Sequence, residues 1–144
     1  VLLGCGHTRT VEAHKLLVLN LPFPPSMNTY WRTFRGMTVL SKQGREFKAA
    51  VADYVVEYRV PKLGDSKLRI SMVLFPRDKR KIDIDNRIKA VLDALQDAGV
   101  FNDDFQVDEL SIVRGKTIKG GAIRVLIEQI ETSDSSESSP SEDS

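Results

Sequence analysis

The chain has 144 residues and a mass of 16.1 kDa, with 41% hydrophobic and 28% charged residues, which suits one domain with a true core and excludes a large multidomain enzyme. No apolar run approaches the ~18 residues that a membrane-spanning helix needs. With 21 Lys and Arg against 20 Asp and Glu, the formal net charge of +1 argues at first sight against a polyanionic partner.

Residues 1–14 are expected to form a poorly ordered leader. The single cysteine, Cys5, excludes an internal disulfide framework and a cysteine-built zinc cage, as expected of a cytoplasmic protein. Val1-Leu2-Leu3-Gly4-Cys5 is similar to the end of a lipoprotein signal, but a poorly ordered leader is the expected reading, and the irregular spacing of Cys5, His7 and His14 does not suit a metal tract. Lys15–Leu21 is a short apolar, β-compatible run ended by Pro22-Phe23-Pro24-Pro25, which cannot continue a ladder. Ser26–Arg35 reads as a polar and aromatic loop, and Met37–Leu40 as a short strand. Ser41 then suits an N-cap, and the spacing of Phe47, Val51, Tyr54, Val55 and Tyr58 predicts an amphipathic helix over 42–59, ended by Pro61 and Gly64.

Lys67–Phe75 predicts a central strand: Leu68, Ile70, Met72 and Leu74 share one face, while Val73 and Phe75 make the other partly apolar. A second helix is expected from about Asp85, capped by Asp83 or Asp85, with Ile88, Val91, Leu92, Leu95 and Ala98 as its buried stripe and Gly99 at its C-terminus. Asn102-Asp103-Asp104 is a turn signal. Two strands, Val107–Thr117 and Ala122–Gln129, are expected to pair as a hairpin through Lys119-Gly120-Gly121. The order β, β, α, β, α, β, β over 15–131 predicts an α+β domain, two main helices packed on a mixed, mostly antiparallel sheet.

The charge is not spread evenly. Residues 132–144 hold seven Ser, four acids and no base, and are expected to be a disordered tail; without them the chain carries 21 basic and 16 acidic residues, a net of +5. Arg77, Lys79, Arg80, Lys81, Arg87 and Lys89 crowd thirteen positions, whereas residues 90–113 hold six acids and no base. The small net charge therefore conceals a basic cluster suited to a polyanion.

Chemistry centres on Lys81-Ile82-Asp83-Ile84-Asp85-Asn86-Arg87-Ile88-Lys89. If this stretch is extended up to the helix, Asp83 and Asp85 point to one side. Two carboxylates sharing a site repel unless a proton or a cation lies between them, and Mg²⁺ takes one or two carboxylates while keeping positions for water and phosphate oxygens. Lys89, four residues after Asp85, comes back over that site by one helical turn, where its charge suits a phosphoryl transition state or a departing oxygen. A third acid is expected from Asp103 or Asp104, provided the chain doubles back. The bland readings are that the acids cap a helix and that Lys79–Lys81 is a solvated loop. An EF-hand fails, since Arg87 and Ile88 stand where an oxygen ligand and Gly belong, and the two His in the leader give no support to a hydrolytic triad.

Pro24-Pro25-Ser26-Met27-Asn28-Thr29-Tyr30-Trp31-Arg32, the Lys81–Lys89 stretch, Leu92-Asp93-Ala94-Leu95 and Gly99–Val107 resemble, in order, the RusA family of Holliday junction resolvases carried by phages and prophages. The likeness covers roughly residues 16–130. It implies a homodimeric, Mg²⁺-dependent endonuclease, with Mn²⁺ as a substitute, that makes paired nicks in four-way DNA junctions during recombination and repair. By position it implies Asp83, Asp85 and Asp104 as metal ligands and Lys89 as the essential basic residue. Lys79, Arg80, Lys81 and Arg87 would then grip the DNA backbone. Asn28, Tyr30, Arg32 and Arg35, with Trp31 and Phe34, would form a loop able to stack on opened bases, against the alternative of ordinary packing. The expected setting is the cytoplasm of a bacterial or phage-infected cell, with no membrane partner and no small-molecule cofactor. The rivals are a non-catalytic DNA-binding module, in which the acids only cap a helix, and a nuclease for other branched DNA.

Overall fold

Along Leu68–Phe75 (β4) every second side chain is buried and the others are half-buried, as required of a strand with neighbours on both edges. The computed structural model of the chain describes residues 16–130; the expected leader, with Cys5, His7 and His14, and the acidic tail lie outside them. The other elements are Leu16–Leu21 (β1), Met27–Tyr30 (α1), Trp31–Phe34 (β2), Met37–Leu40 (β3), Lys42–Glu57 (α2), Ile88–Asp97 (α3), Val107–Arg114 (β5) and Ala122–Gln129 (β6). Single 3-10 turns at Asp85–Arg87 and Asp104–Gln106 precede α3 and β5.

The main sheet has the order β1-β6-β4-β5, antiparallel except for the parallel pair β4 and β5. Leu68, Ile70, Met72 and Leu74 of β4 face the same side as Ile123, Val125 and Ile127 of β6, and onto them pack Phe47 and Val51 of α2 and Val91, Ala94 and Leu95 of α3. Such side chains contribute roughly 1.5–3 kcal/mol each when fully buried. The mixed α+β domain expected from the sequence is thus the one formed. Among the described residues the opposite face carries no helix. Arg69 ties its strands together there, bonding Glu109 of β5 at 2.8 Å and Glu128 of β6 at 2.9 Å.

Helix α2 starts as its sequence predicts, with the Ser41 hydroxyl accepting from Gly44 N at 3.0 Å. Helix α3 ends at Gly99, where Gly99 N bonds Gln96 O and Val100 N bonds Leu95 O, each at 3.0 Å, in a Schellman arrangement.

Two local expectations are corrected. Residues 26–35 are not a loop: α1 is followed by β2, which pairs with β3 in a second, two-stranded sheet. The turn between them is Arg35-Gly36 with φ of 53° and 76°, the left-handed pair that matches the twist of a hairpin, and it carries none of the usual Asn-Gly or Asp-Gly signal. Nor do β5 and β6 form a hairpin, because β4 lies between them. Gly120-Gly121 does turn the chain, but Gly115 N bonded to Leu74 O (2.8 Å) and Ile118 N to Pro76 O (2.9 Å) carry the connection across the end of β4. β5, reached from β4 through α3, runs parallel to β4, as a crossover permits.

Candidate active site

Past Phe75 the chain leaves the sheet at the buried Pro76 and runs irregularly to the 3-10 turn at Asp85. In this segment Asp78 accepts from Arg80 three times over, from its backbone N at 3.0 Å, its Nε at 3.1 Å and its Nη2 at 2.8 Å. These bonds, from the side chain first, hold the Asp78 carboxyl down at about 2. Arg80 is therefore paired within its own loop, whereas Lys79 and Lys81 stand exposed with no ion pair among the described residues.

Asp83 and Asp85 are exposed, and neither caps a helix: the position before the 3-10 turn is Ile84, the position before α3 is Arg87, and neither has a side-chain cap. Both expected local geometries are corrected for one reason. Ile84 already has helical dihedrals (φ −74°, ψ −34°), so the stretch is not extended through Asp85, and Asp85 lies inside the first turn instead of ahead of it. Neither carboxylate makes a hydrogen bond or ion pair among the described residues, although bases surround them in sequence.

Lys89, in the first turn of α3, donates from Nζ to Asp104 Oδ2 at 2.6 Å. The chain does double back, since α3 and its terminal turn return it to the start of β5. Asp103 and Asp104 are used differently. The Asp103 carboxylate caps the second 3-10 turn, accepting from Phe105 N at 2.9 Å, while Gln106 Oε1 accepts from Asp103 N at 2.9 Å and Asn102 N at 2.8 Å. Asp104 has its backbone N held by Gln96 Oε1 (3.1 Å) and its carboxylate turned to Lys89, whose hydrogen bond is the main cause of a lowered Asp104 pKa.

Among the described residues no three acidic, histidine or cysteine side chains are gathered closely enough to form a cage for a metal ion. The donor chemistry nevertheless suits a hard divalent cation in its less demanding form: two unpaired carboxylates, Asp83 and Asp85, and a third, Asp104, already ionised and partly neutralised by Lys89. Asp83 also lines a cleft of about 520 Å³ with Lys79, Arg80, Lys81, Arg114 and Thr117. Arg114 was not singled out in the sequence. It reaches this cleft because β5 lies parallel to β4 and ends at the same edge of the sheet as Pro76, a long-range pairing without a local signal.

Two predicted contact residues, Tyr30 and Arg87, turn inward. Tyr30 is fully buried, its hydroxyl donating to Asp93 Oδ2 at 2.5 Å, so it packs instead of stacking on bases. Burial first, then the hydrogen bond to Asp93, raises its pKa. Lys48 joins the same carboxylate at 3.3 Å, tying α2 to α3. Arg87 is half-buried: Nη1 donates to Pro24 O at 2.6 Å, the guanidinium lies 4.7 Å from the Phe23 ring centroid, and its buried Nε has no partner among the described residues. Burial and then the nearby Arg77 lower its pKa. Arg80 stays exposed, with its guanidinium on Asp78. Asn28, Trp31, Arg32, Phe34 and Arg35 are likewise exposed on α1 and the hairpin, with Arg32 and Arg35 over the Phe34 ring at 5.5 and 5.3 Å.

The sequence is similar to known proteins. The family model of the endodeoxyribonuclease RusA matches residues 22–128. The crossover junction endodeoxyribonuclease of Enterobacteria phage HK97 is 34% identical over 112 residues, and that of Escherichia coli K12 is 33% identical over 112, each alignment covering 78% of this chain and 93% of the relative. The enzyme of the same name from Enterobacteria phage 82 is 34% identical over 113 residues. With the family match running from the proline segment to the last strand, and so across every acid and base of the candidate site, the chain belongs to the RusA family of endodeoxyribonucleases.

Proposed function

We propose that this enzyme resolves four-way DNA junctions by paired phosphodiester hydrolysis, as a homodimer and with Mg²⁺ held by Asp83, Asp85 and Asp104. The observation that carries the reading is the Lys89–Asp104 pair, which joins the Asp-x-Asp-Asn segment to the Asn-Asp-Asp turn one helical turn beyond Asp85. A bound hard cation would supply Lewis acidity to a phosphodiester and to water. Asp104 orients the Lys89 ammonium, which donates to a non-bridging or departing oxygen of the phosphate as negative charge builds there. Lys79, Lys81 and Arg114 line the approach and hold the flanking backbone, and the exposed hairpin with Trp31, Arg32 and Phe34 meets the branch point.

A junction needs two matched cuts, and a two-fold dimer supplies two equivalent sites. The sheet face away from the helices supports this: among the described residues Leu16, Val18 and Val113 are 53%, 50% and 54% exposed beside Arg69, Glu109 and Glu128, a mixed patch able to match a copy of itself. Asp83→Asn is expected to abolish nicking of synthetic junctions in Mg²⁺ while leaving a gel-shift complex. Retained nicking would overturn the assignment of the acids, and equal cutting of junction, fork and linear duplex would overturn junction specificity.

A further inference from the structure

Two cavities flank the acidic turn. The basic cleft on the Asp83 side belongs to the site already described; the other, about 440 Å³ in volume, opens on the Arg87 side. One of its walls is the proline segment Pro22–Pro25, the other is the start of α2, where Gln43 and Glu46 stand over a floor made by Phe47, 5% exposed. Arg77 and Arg87 close its end. The cavity is built rather than incidental. Arg87 is bonded to Pro24 O at 2.6 Å, and both guanidiniums lie over the single ring of Phe23, at 4.7 Å for Arg87 and 5.1 Å for Arg77.

The charge pattern specifies the ligand. Two guanidiniums are brought together, one of them half-buried, and among the described residues neither has a carboxylate within ion-pairing distance. Such an arrangement is relieved by an anion at the exposed member, Arg77. Glu46 lines the same cavity but is paired only loosely with Lys42, at 4.0 Å. The cavity thus offers a cationic end, apolar walls, and a carboxylate and an amide from the helix. A nucleotide has the matching parts: a phosphate, a flat ring with apolar faces, and a hydrogen-bonding edge. Because a carboxylate only accepts, it favours an edge bearing an amino group, as in cytosine, adenine and guanine, over that of thymine.

Resting on the proposed junction-cutting activity, we propose that this cavity seats one unstacked nucleotide of the substrate strand beside the cut, its phosphate on Arg77 and its base edge read by Gln43 and Glu46. The two cavities then divide the work on either side of Asp83–Arg87, one gripping backbone and the other reading sequence.

Cleavage of a library of four-way junctions with randomised branch points, mapped by sequencing the cut ends, tests this. The full chain is expected to disfavour thymine at one position flanking the cut. Glu46→Gln and Gln43→Ala are expected to shrink that bias about tenfold, whereas Glu57→Gln, exposed at the far end of α2, leaves it intact. Unchanged bias in both cavity variants, or slowing of all sequences by one common factor, would overturn the subsite while leaving the nuclease reading in place. A full chain that cuts without base preference would do the same, and one that cuts no junction would overturn the parent reading and the subsite together.

Discussion

Lys89 and Asp104 lie fifteen residues apart in the chain and 2.6 Å apart in space, and each sets the state of the other. The ammonium lowers the Asp104 pKa, so the pair contributes stability above the carboxyl's unfolded value and loses it as pH falls through the lower folded value. That contribution is small because Lys89 is 56% and Asp104 33% exposed, and solvent screens them. In the proposed reaction the pair weighs more. Lys89→Met is expected to cut nicking by ~10²-fold or more, the scale of losing one donor to developing charge, and to move the Asp104 carboxyl titration, followed by NMR, back toward the ordinary range with little change in Tm. Asp83, Asp85 and Lys89 could be singled out together because they share one short segment. The division of labour between Asp103 and Asp104 was not, since it depends on Gln96, Phe105 and Gln106 holding one acid as a cap and turning its neighbour to Lys89. Tyr30 and Arg87 misled for a related reason: an aromatic or a guanidinium in a basic segment has the composition of a nucleic-acid contact whether it faces solvent or Asp93 and Pro24.

At the scale of elements, strong periodicity carried the reading. β4, α2 and α3 lie where their apolar spacing predicts, and their ends agree with Ser41 and Gly99. Failures came where a turn was read without its tertiary surroundings. Gly121 illustrates this: at φ 70°, a Cβ there would stand 2.5 Å from Phe23 Cδ1 and 2.9 Å from Arg77 Cβ, so the β5–β6 connection packs directly on the wall of the nucleotide cavity. Gly120, at φ 82°, has nothing within 4 Å of such a Cβ. Gly120→Ala is therefore expected to cost only the left-handed backbone strain, about 1 kcal/mol, whereas Gly121→Ala adds a steric clash and is expected to cost about 2–3 kcal/mol. Urea denaturation of the two variants measures the difference. Ser41→Ala, which removes the cap on Gly44 N, is expected to cost about 1 kcal/mol by the same measurement.

For the whole molecule, the sheet has one face sealed by α2 and α3 and one face outside that core. If the latter is the dimer contact, Val18→Asp is expected to convert the protein to monomers in light scattering and to abolish paired cuts while single nicks persist; a Val18→Asp dimer would place the contact elsewhere. None of the helices described is long and apolar enough to cross a membrane. By itself the sequence determined the α+β class, the main helices and central strand, the basic cluster hidden beneath a net charge of +1, and the acids with Lys89 beside them. All of these rest on periodicity or short spacing, which survive in a one-dimensional pattern. Only the tertiary structure decided the strand order β1-β6-β4-β5, the arrival of Arg114 at the acidic cleft, the inward turn of Tyr30 and Arg87, and the cavity between the proline segment and α2. Each of these depends on contacts between residues far apart in the chain, which burial and packing select and local sequence does not encode.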